Sequence, residues 1–160
     1  MHPRALVLAS VIAAATVPAA HAQMNPRGEA RVTLSGKPIV VDYGRPALKG
    51  RDMLGKAEVG QEWRMGADSA TTLKTPVALT FGSTVVAPGE YVLKAKKTSD
   101  TEWMLKLEKD DKTAAEIPLK ASPLEASVEL FTIDLAEEKG EGVFKMSWGN
   151  RALSTRFTAK

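Results

Sequence analysis

The chain has 160 residues, of which 22 are lysine or arginine and 19 are aspartate or glutamate, so its formal net charge at pH 7 is +3. Residues of the two signs are interleaved along the chain, which gives no indication of nucleic acid or of an anionic membrane surface as a partner. The chain contains no cysteine, and this excludes disulfide bonds, a thiol nucleophile and a lipid-modified cysteine anchor.

The first 22 residues have the pattern of a signal peptide. Arg4 supplies a positive charge, an apolar run follows from residue 5 to residue 17, and Ala20-His21-Ala22 offers small residues at a cleavage site. The apolar run is shorter than the roughly 20 residues that a transmembrane helix needs, and no second run of this kind follows. We therefore expect an exported protein, periplasmic or secreted, with no transmembrane segment.

Removal of this segment would also remove both histidines, His2 and His21. The mature chain would then lack imidazole as well as thiol groups. A Ser-His-Asp triad, a histidine-ligated zinc site and an imidazole base are thereby excluded within one chain. No catalytic residue, no metal site and no cofactor are predicted, and a non-catalytic role is favoured.

Period-two alternation of apolar and polar residues dominates the rest of the chain, and no window carries a helical stripe. Residues 23–31 are predicted to be a flexible lead-in and residues 32–160 a single all-β domain, an antiparallel β-sandwich of two sheets. A shift in the apolar set predicts a bulge within residues 128–135, and Gly149-Asn150 predicts a tight hairpin. Strands are predicted at 32–34, 39–43, 77–81, 84–86, 91–96, 102–108, 115–119, 128–135, 143–148 and 153–157.

A glycine-rich segment at about residues 44–70 interrupts this alternation. It concentrates arginines and aromatic residues between regular strands, which is typical of a long functional loop. The residues in and beside it that we predict to bind a ligand are Tyr43, Arg45, Arg51, Trp63, Arg64, Asp68 and Thr71.

Each of these side chains also has a structural interpretation. The three arginines could converge on a carboxylate or phosphate, or each could bond loop carbonyls and nearby carboxylates, which is the favoured alternative. Tyr43 and Trp63 could stack on a ligand or could close one end of the sandwich. Trp103 and Trp148 lie on the inward phase of regular strands and are predicted core residues.

Two further patterns bear on nucleotide binding and on catalysis. Residues 50–56 have the spacing of a phosphate-binding loop, but Ala57 stands where a magnesium-binding serine or threonine is required. Glycosidases use two opposed carboxyl groups. Asp42, Glu62 and Asp68 are the acidic residues near the glycine-rich segment that are candidates for this role.

A set of short motifs is spread over the chain from about Val32 to Phe157: Tyr43-Gly-Arg-Pro46, Lys49-Gly-Arg51, Trp63-Arg-Met-Gly-Ala67, Thr71, Pro88-Gly-Glu-Tyr91, Trp103 and Trp148-Gly149. Together they resemble the exported bacterial family known as domain of unknown function 2911. The resemblance implies an exported, compact β domain, and it implies no activity, substrate or cofactor. The sequence departs from the usual family pattern between Lys112 and Glu129, where a Trp-Gly or tyrosine-containing stretch is expected.

The sequence thus leaves three functional hypotheses. The first is a non-catalytic binding domain for an anionic or hydroxyl-rich ligand, either a small molecule or an envelope component. The second is a structural or assembly protein of the cell envelope, in which the residues of the glycine-rich segment serve folding. The third is a carboxylate-based hydrolase of glycans.

Overall fold

The computed structural model describes residues 24–160 of the chain. Within this range there are ten β-strands and no helix, and hence no helix that could cross a membrane. The signal peptide predicted for residues 1–22 lies outside the described residues. The strands are β1 (Arg27–Leu34), β2 (Lys37–Gly44), β3 (Glu62–Trp63), β4 (Thr72–Thr75), β5 (Leu79–Phe81), β6 (Thr84–Val86), β7 (Gly89–Lys97), β8 (Glu102–Lys109), β9 (Lys112–Glu138) and β10 (Glu141–Ala159).

The strands form one continuous antiparallel sheet in the order β1-β2-β4-β7-β8-β9-β10-β5-β6, with the two-residue β3 paired to β7. The predicted all-β antiparallel fold is confirmed. The sheet is sandwich-like, but its layers are joined by hydrogen bonds instead of being two separate sheets. The cause is the length of β9 and β10, which contribute to more than one part of the sheet.

The hairpin of β9 and β10 is folded over on itself. Along an extended strand Gly142 and Phe157 would lie about 50 Å apart, yet a Cβ atom at Gly142 would collide with the Phe157 ring. The change of direction coincides with register shifts between Ser147 and Arg151 of β10. Bulges of this kind bend a strand and increase its twist. The folded β9–β10 ribbon therefore brings distant parts of the same strand together.

The sequence predicted this region in part. The bulge predicted within residues 128–135 is confirmed by a register shift between Val128 and Thr132. The tight hairpin predicted at Gly149-Asn150 is wrong, because both residues lie inside β10. Gly149 does have a left-handed φ of 63°, but it serves the bend of the ribbon and not a chain reversal.

The flexible lead-in predicted for residues 23–31 is also too long. β1 begins at Arg27 and pairs with β2 along its whole length. Ala30 continues the buried alternation of Val32 and Leu34 toward the N-terminus. A single alanine between charged residues is a weak hydrophobic signal, so the alternation was not recognised from the sequence.

The core consists of the inward residues of these strands. Trp103 and Trp148 are 5% and 3% exposed, so their predicted core positions are confirmed. Leu93, Leu105 and Leu107 are also buried and stand on adjoining strands. Burial of one such large side chain contributes about 1.5–3 kcal/mol. No buried side-chain nitrogen or oxygen of residues 24–160 lacks a hydrogen-bond partner.

Candidate functional site

The glycine-rich segment begins by running beside β9. The Leu48 N–H donates to the Glu129 carbonyl at 2.9 Å, and the Phe131 N–H donates to the Pro46 carbonyl at 2.9 Å. An isolated antiparallel bridge lies between these two bonds. The segment thus fastens β9 to the edge of the sheet that β1 and β2 form.

Tyr43 and Arg45 reach β9 from the same edge by passing Gly28. The Tyr43 hydroxyl donates to the Ile133 carbonyl at 3.2 Å, and the Arg45 Nε donates to the Phe131 carbonyl at 3.2 Å. Gly28 stands opposite Tyr43 in the β1–β2 ladder. A Cβ atom at Gly28 would lie 2.8 Å from both Tyr43 Cζ and Arg45 Cδ, so the absence of a side chain at this position lets both residues cross.

Trp63 lies in an aromatic cluster at this closed end of the sheet. Its ring stacks on Trp148 with a centroid distance of 5.2 Å and meets Phe131 edge-on at 4.9 Å. The cavity beside Trp63 and Trp103 has a volume of about 40 Å³, far below the roughly 300–1,000 Å³ of ligand pockets. One face of the Trp63 ring is therefore covered by Trp148, in agreement with the alternative that Trp63 closes one end of the sandwich.

Arg51 bonds within the glycine-rich segment itself. Its Nε donates to the Leu48 carbonyl at 3.0 Å, and its Nη2 donates to the Ala47 carbonyl at 3.4 Å. These carbonyls belong to the stretch that is fastened to β9. Arg51 therefore stabilises the conformation of that stretch.

The loop between β3 and β4 is compact and internally bonded. The Arg64 Nη2 donates to the Asp68 carbonyl, and the buried Thr71 hydroxyl donates to the Met65 carbonyl at 2.6 Å. Asp68 Oδ2 accepts the Asn25 N–H at 2.9 Å. Met65 is fully buried with a φ of 55°, a left-handed conformation that non-glycine residues rarely adopt. The bonds around it hold this strained conformation in place.

The seven predicted residues thus occupy four different places. Tyr43 and Arg45 lie together beside β9, and Trp63 lies in the aromatic cluster. Arg51 bonds within its own loop, and Arg64, Asp68 and Thr71 lie in the loop between β3 and β4. Each of the three arginines, Arg45, Arg51 and Arg64, donates to a backbone carbonyl. This is the arrangement that sequence reasoning favoured over convergence on an anion.

A groove of about 440 Å³ lies beside Tyr43 and Arg45, between residues 28–31 of β1 and residues 132–135 of β9. We name it the β1–β9 groove. Within the described chain β1 pairs only with β2, and β9 at residues 132–135 pairs only with β10. Each of the two strands therefore turns an unpaired backbone edge toward the groove.

Polar side chains of several kinds line the groove. The Arg31 Nε and Nη2 donate to Glu29 Oε1 at 3.2 and 3.1 Å, and the Arg45 Nη2 donates to Thr132 Oγ1 at 3.1 Å. Asp134 also lines the groove. Sequence reasoning missed Glu29 and Arg31 because it placed them in the lead-in. It missed Thr132 and Asp134 because the polar residues of an alternating strand carry no signal of what faces them.

The three carboxylates considered for hydrolysis have separate partners. Asp42 pairs with Arg27, Glu62 pairs with Lys106 at 2.7 Å, and Asp68 accepts a backbone N–H as described above. The hydrogen bond from Lys106 lowers the pKa of Glu62, which disfavours the protonated form that a general acid needs. Residues 24–160 contain no group of three or more acidic residues or histidines arranged to hold a metal ion.

Glu62 is one end of a chain of ion pairs on the solvent-facing side of β3, β7 and β8. The Lys106 Nζ lies 2.7 Å from Glu62 and 3.1 Å from Glu108, and the Lys94 Nζ lies 2.7 Å from Glu108. Hydrogen bonds from Lys94 and Lys106 lower the pKa of Glu108, and the hydrogen bonds that Lys106 donates to Glu62 and Glu108 raise the pKa of Lys106. The chain of ion pairs ties the short β3 to the rest of the sheet.

Residues 25–157 match a protein family described as a protein of unknown function, DUF2911. The chain belongs to this family. The match includes both strands that border the β1–β9 groove and the whole glycine-rich segment, so these features lie inside the DUF2911 domain. The family resemblance drawn from the sequence motifs is thereby confirmed. Comparisons of the DUF2911 chain with curated proteins and with solved structures give no match.

Proposed function

We propose that this DUF2911 protein is an exported, non-catalytic binding domain whose ligand is rich in hydroxyl groups and occupies the β1–β9 groove. The observation that carries the proposal is the groove itself, where two unpaired strand edges meet the side chains of Arg45, Thr132 and Asp134. Export is part of the proposal and rests on the signal-peptide pattern of residues 1–22.

The size of the groove supports a small-molecule ligand. Its volume of about 440 Å³ falls in the range of roughly 300–1,000 Å³ that is typical of ligand pockets. It is also bordered by regular strands, and the bonds of Tyr43 and Arg45 to β9 fix the distance between its walls. A groove of this kind is largely formed before its ligand arrives, which reduces the entropy lost on binding.

The groove offers both hydrogen-bond donors and acceptors. Arg31 and Arg45 donate, Glu29 and Asp134 accept, and the Thr132 hydroxyl, which donates its proton to the Leu130 carbonyl at 2.8 Å, retains a lone pair that can accept. The unpaired N–H and C=O groups of the two strand edges add further partners of each kind. A hydroxyl group also donates and accepts, so a polyhydroxyl ligand can satisfy this lining better than a ligand with acceptors alone.

The balance of charge separates the two ligand classes that the sequence left open. Two guanidinium groups, those of Arg31 and Arg45, face two carboxylates, those of Glu29 and Asp134. An anion in the groove would be attracted by the first pair and repelled by the second. A neutral, hydroxyl-rich ligand meets no such repulsion and is therefore favoured here over an anionic one.

A structural role in the cell envelope is the second candidate, and a separate observation favours it. Tyr43 and Arg45 close the sheet by bonding to β9, so they serve folding whatever the groove binds. The hydrolase hypothesis has less support, because Asp42, Glu62 and Asp68 do not line the β1–β9 groove. The binding proposal differs from the structural one in requiring a saturable ligand, and from the hydrolase hypothesis in leaving that ligand unchanged.

Isothermal titration calorimetry of the folded protein with neutral cello-, malto- and chito-oligosaccharides tests the proposal. At least one series should bind, and Asp134→Asn or Glu29→Gln should weaken that binding about tenfold, since a hydrogen bond to a charged group contributes about 1.5–3 kcal/mol. Glu125→Gln is the matched control, because Glu125 is exposed on β9 outside the groove. Absence of binding in every series, or equal weakening by the control, would overturn the proposal.

A further inference from the structure

We infer a second binding site, for a phosphate-bearing ligand, in a cavity of about 590 Å³ on the folded β9–β10 ribbon. We name it the ribbon cavity. Its walls are residues 118–120 and Glu138 of β9, together with Val143, Lys145 and residues 154–156 of β10. None of these residues was singled out from the sequence as a ligand contact.

The ribbon cavity exists because β10 bends. Lys145 and Ser154 belong to the same strand and would lie about 30 Å apart along an extended chain, yet both line this one cavity. The register shifts between Ser147 and Arg151 lie between them. The bulged strand therefore builds the site from two of its own parts.

Two cations of the cavity lack an ion-pair partner, although a carboxylate residue stands opposite each in the sheet, Glu102 opposite Lys120 and Asp134 opposite Lys145. Lys120 and Lys145 are exposed, and neither forms an ion pair with another described residue. Asp134 stands opposite Lys145 in the β9–β10 ladder, but its side chain lines the β1–β9 groove and makes no ion pair with Lys145. The two ammonium groups are thus available to an incoming anion.

The remaining polar groups of the cavity suit the same ligand. Arg156 is held by Glu138 and, at 3.5 Å, by Glu141, so its guanidinium is fixed in position at the edge of the cavity. Ser154 lies on the same phase of β10 as Arg156 and adds a hydroxyl donor. Lysine binds phosphate as a point charge, and hydroxyl groups donate to phosphate oxygens. Two lysines without an ion pair, together with this hydroxyl, therefore favour a ligand with more than one negative charge.

The two sites differ in their balance of charge. Carboxylates balance the arginines of the β1–β9 groove. In the ribbon cavity Glu138 and Glu141 pair with Arg156, and Lys120 and Lys145 are left without an ion pair. These two ammonium groups favour phosphate. The phosphate can belong to a soluble compound or to the headgroup of an anionic lipid, since the chemistry that binds it is the same.

An NMR titration of the folded protein with tripolyphosphate at constant ionic strength tests this inference. The backbone amide signals of Lys120, Lys145 and residues 154–156 should shift and saturate. Lys120→Gln and Lys145→Gln should each weaken binding about twofold to fivefold, as expected for the loss of one exposed charge contact. Lys112→Gln is the matched control, because Lys112 is an exposed lysine of β9 outside the cavity.

A parallel measurement separates the two sources of phosphate. Co-sedimentation with vesicles of phosphatidylglycerol and phosphatidylcholine, compared with phosphatidylcholine alone, reports on a lipid headgroup, and the tripolyphosphate titration reports on a soluble ligand. The site is supported if tripolyphosphate or the phosphatidylglycerol vesicles bind the native protein and bind the Lys120→Gln and Lys145→Gln variants more weakly. Absence of binding in both arms, or equal weakening by Lys112→Gln, would overturn it. Saccharide binding in the β1–β9 groove involves other residues, so failure of one proposal leaves the other unaffected.

Discussion

The Tyr43 hydroxyl donates a hydrogen bond to the carbonyl oxygen of Ile133, which lies 90 residues further along the chain. This bond joins the edge of the sheet formed by β1 and β2 to the C-terminal half of β9. The Arg45 Nε makes a parallel link to the Phe131 carbonyl. Together the two bonds close the sheet beside the β1–β9 groove, and substitutions here report on that closure.

Tyr43→Phe removes the hydroxyl and leaves the buried Ile133 carbonyl without this donor. We expect the free energy of unfolding to fall by about 1–3 kcal/mol, the cost of an unsatisfied buried acceptor. Tyr91→Phe is the control, because the Tyr91 hydroxyl donates only to the Ala87 carbonyl of a neighbouring exposed turn. Urea denaturation followed by tryptophan fluorescence measures both. A loss for Tyr43→Phe no larger than for Tyr91→Phe would contradict the proposed role of the link.

Gly28→Ala places a methyl group where the side chains of Tyr43 and Arg45 cross β1. Overpacking of this kind is expected to lower the free energy of unfolding by about 1–3 kcal/mol. The same substitution should cost less in an Arg45→Ala background, because one of the two colliding side chains is then gone. The measurement is a double-mutant cycle by urea denaturation, and strict additivity would rule out this contact as the cause.

Thr71→Val keeps the shape of the side chain but removes the donor to the Met65 carbonyl. Because this hydrogen bond helps to hold the left-handed conformation of Met65, the loop between β3 and β4 should open more readily. We expect the free energy of opening to fall by about 1–3 kcal/mol. Hydrogen exchange of residues 64–71 and the melting temperature measure the effect. Thr84→Val on β6 serves as the control, because the Thr84 hydroxyl has no hydrogen-bond partner among the described residues. Unchanged exchange in the loop of Thr71→Val would refute the prediction.

The chain of ion pairs predicts how stability depends on pH. Glu62 and Glu108 have pKa values lowered from 4.5 by Lys106 and Lys94, so their stabilisation is present above pH 4.5 and is lost as the pH falls through the lowered values. The pKa of Lys106 is raised from 10.5, so its stabilisation is lost only as the pH rises through the raised value. The loss of stability at acid pH and the loss at alkaline pH should both be smaller at high salt, because salt screens charges that are partly exposed.

Urea denaturation between pH 7 and pH 3 checks the acid side of this prediction. In Glu108→Gln the loss of stability on acidification should be smaller than in the native protein, because one of the two affected carboxylates is absent. Glu125→Gln, at an exposed position of β9 without an ion pair, should lose as much free energy of unfolding between pH 7 and pH 3 as the native protein does. An equal loss in Glu108→Gln and the native protein would show that the ion pairs do not contribute.

The regular strands were predictable from the sequence because their buried apolar residues alternate with exposed polar ones. Leu93, Leu105 and Leu107 alternate with charged residues, and β7 and β8 occur where that alternation predicts them. β4 was not predicted, because Thr72–Thr75 has one large apolar residue, Leu73. Residues 120–123 likewise form part of β9 although they have no large apolar side chain that alternates with polar ones. Backbone pairing with β10, which leaves no period-two pattern, holds this stretch in the sheet.

The candidate sites were less predictable than the fold. Tyr43 and Arg45 were recognised as unusual, and the arginines were expected to bond carbonyls, but their partners in β9 lie 86 to 90 residues away. Hydrogen bonding over such separations leaves no periodic signal in a single sequence. The ribbon cavity was not foreseen at all, because it depends on a bend in β10 that brings Lys145 and Ser154 together.

The link between Tyr43 and Ile133 also constrains the order in which the protein can be built. β1 and β2 are synthesised first, yet their partner in β9 follows only near the end of the chain. Ordering so long an intervening segment costs conformational entropy before the closing contacts form. In a nascent chain that ends before β9, the unpaired edge of β1 has no β9 beside it, and such an exposed edge invites pairing with other chains. Protection of this edge during synthesis then depends on whatever binds the unfinished chain.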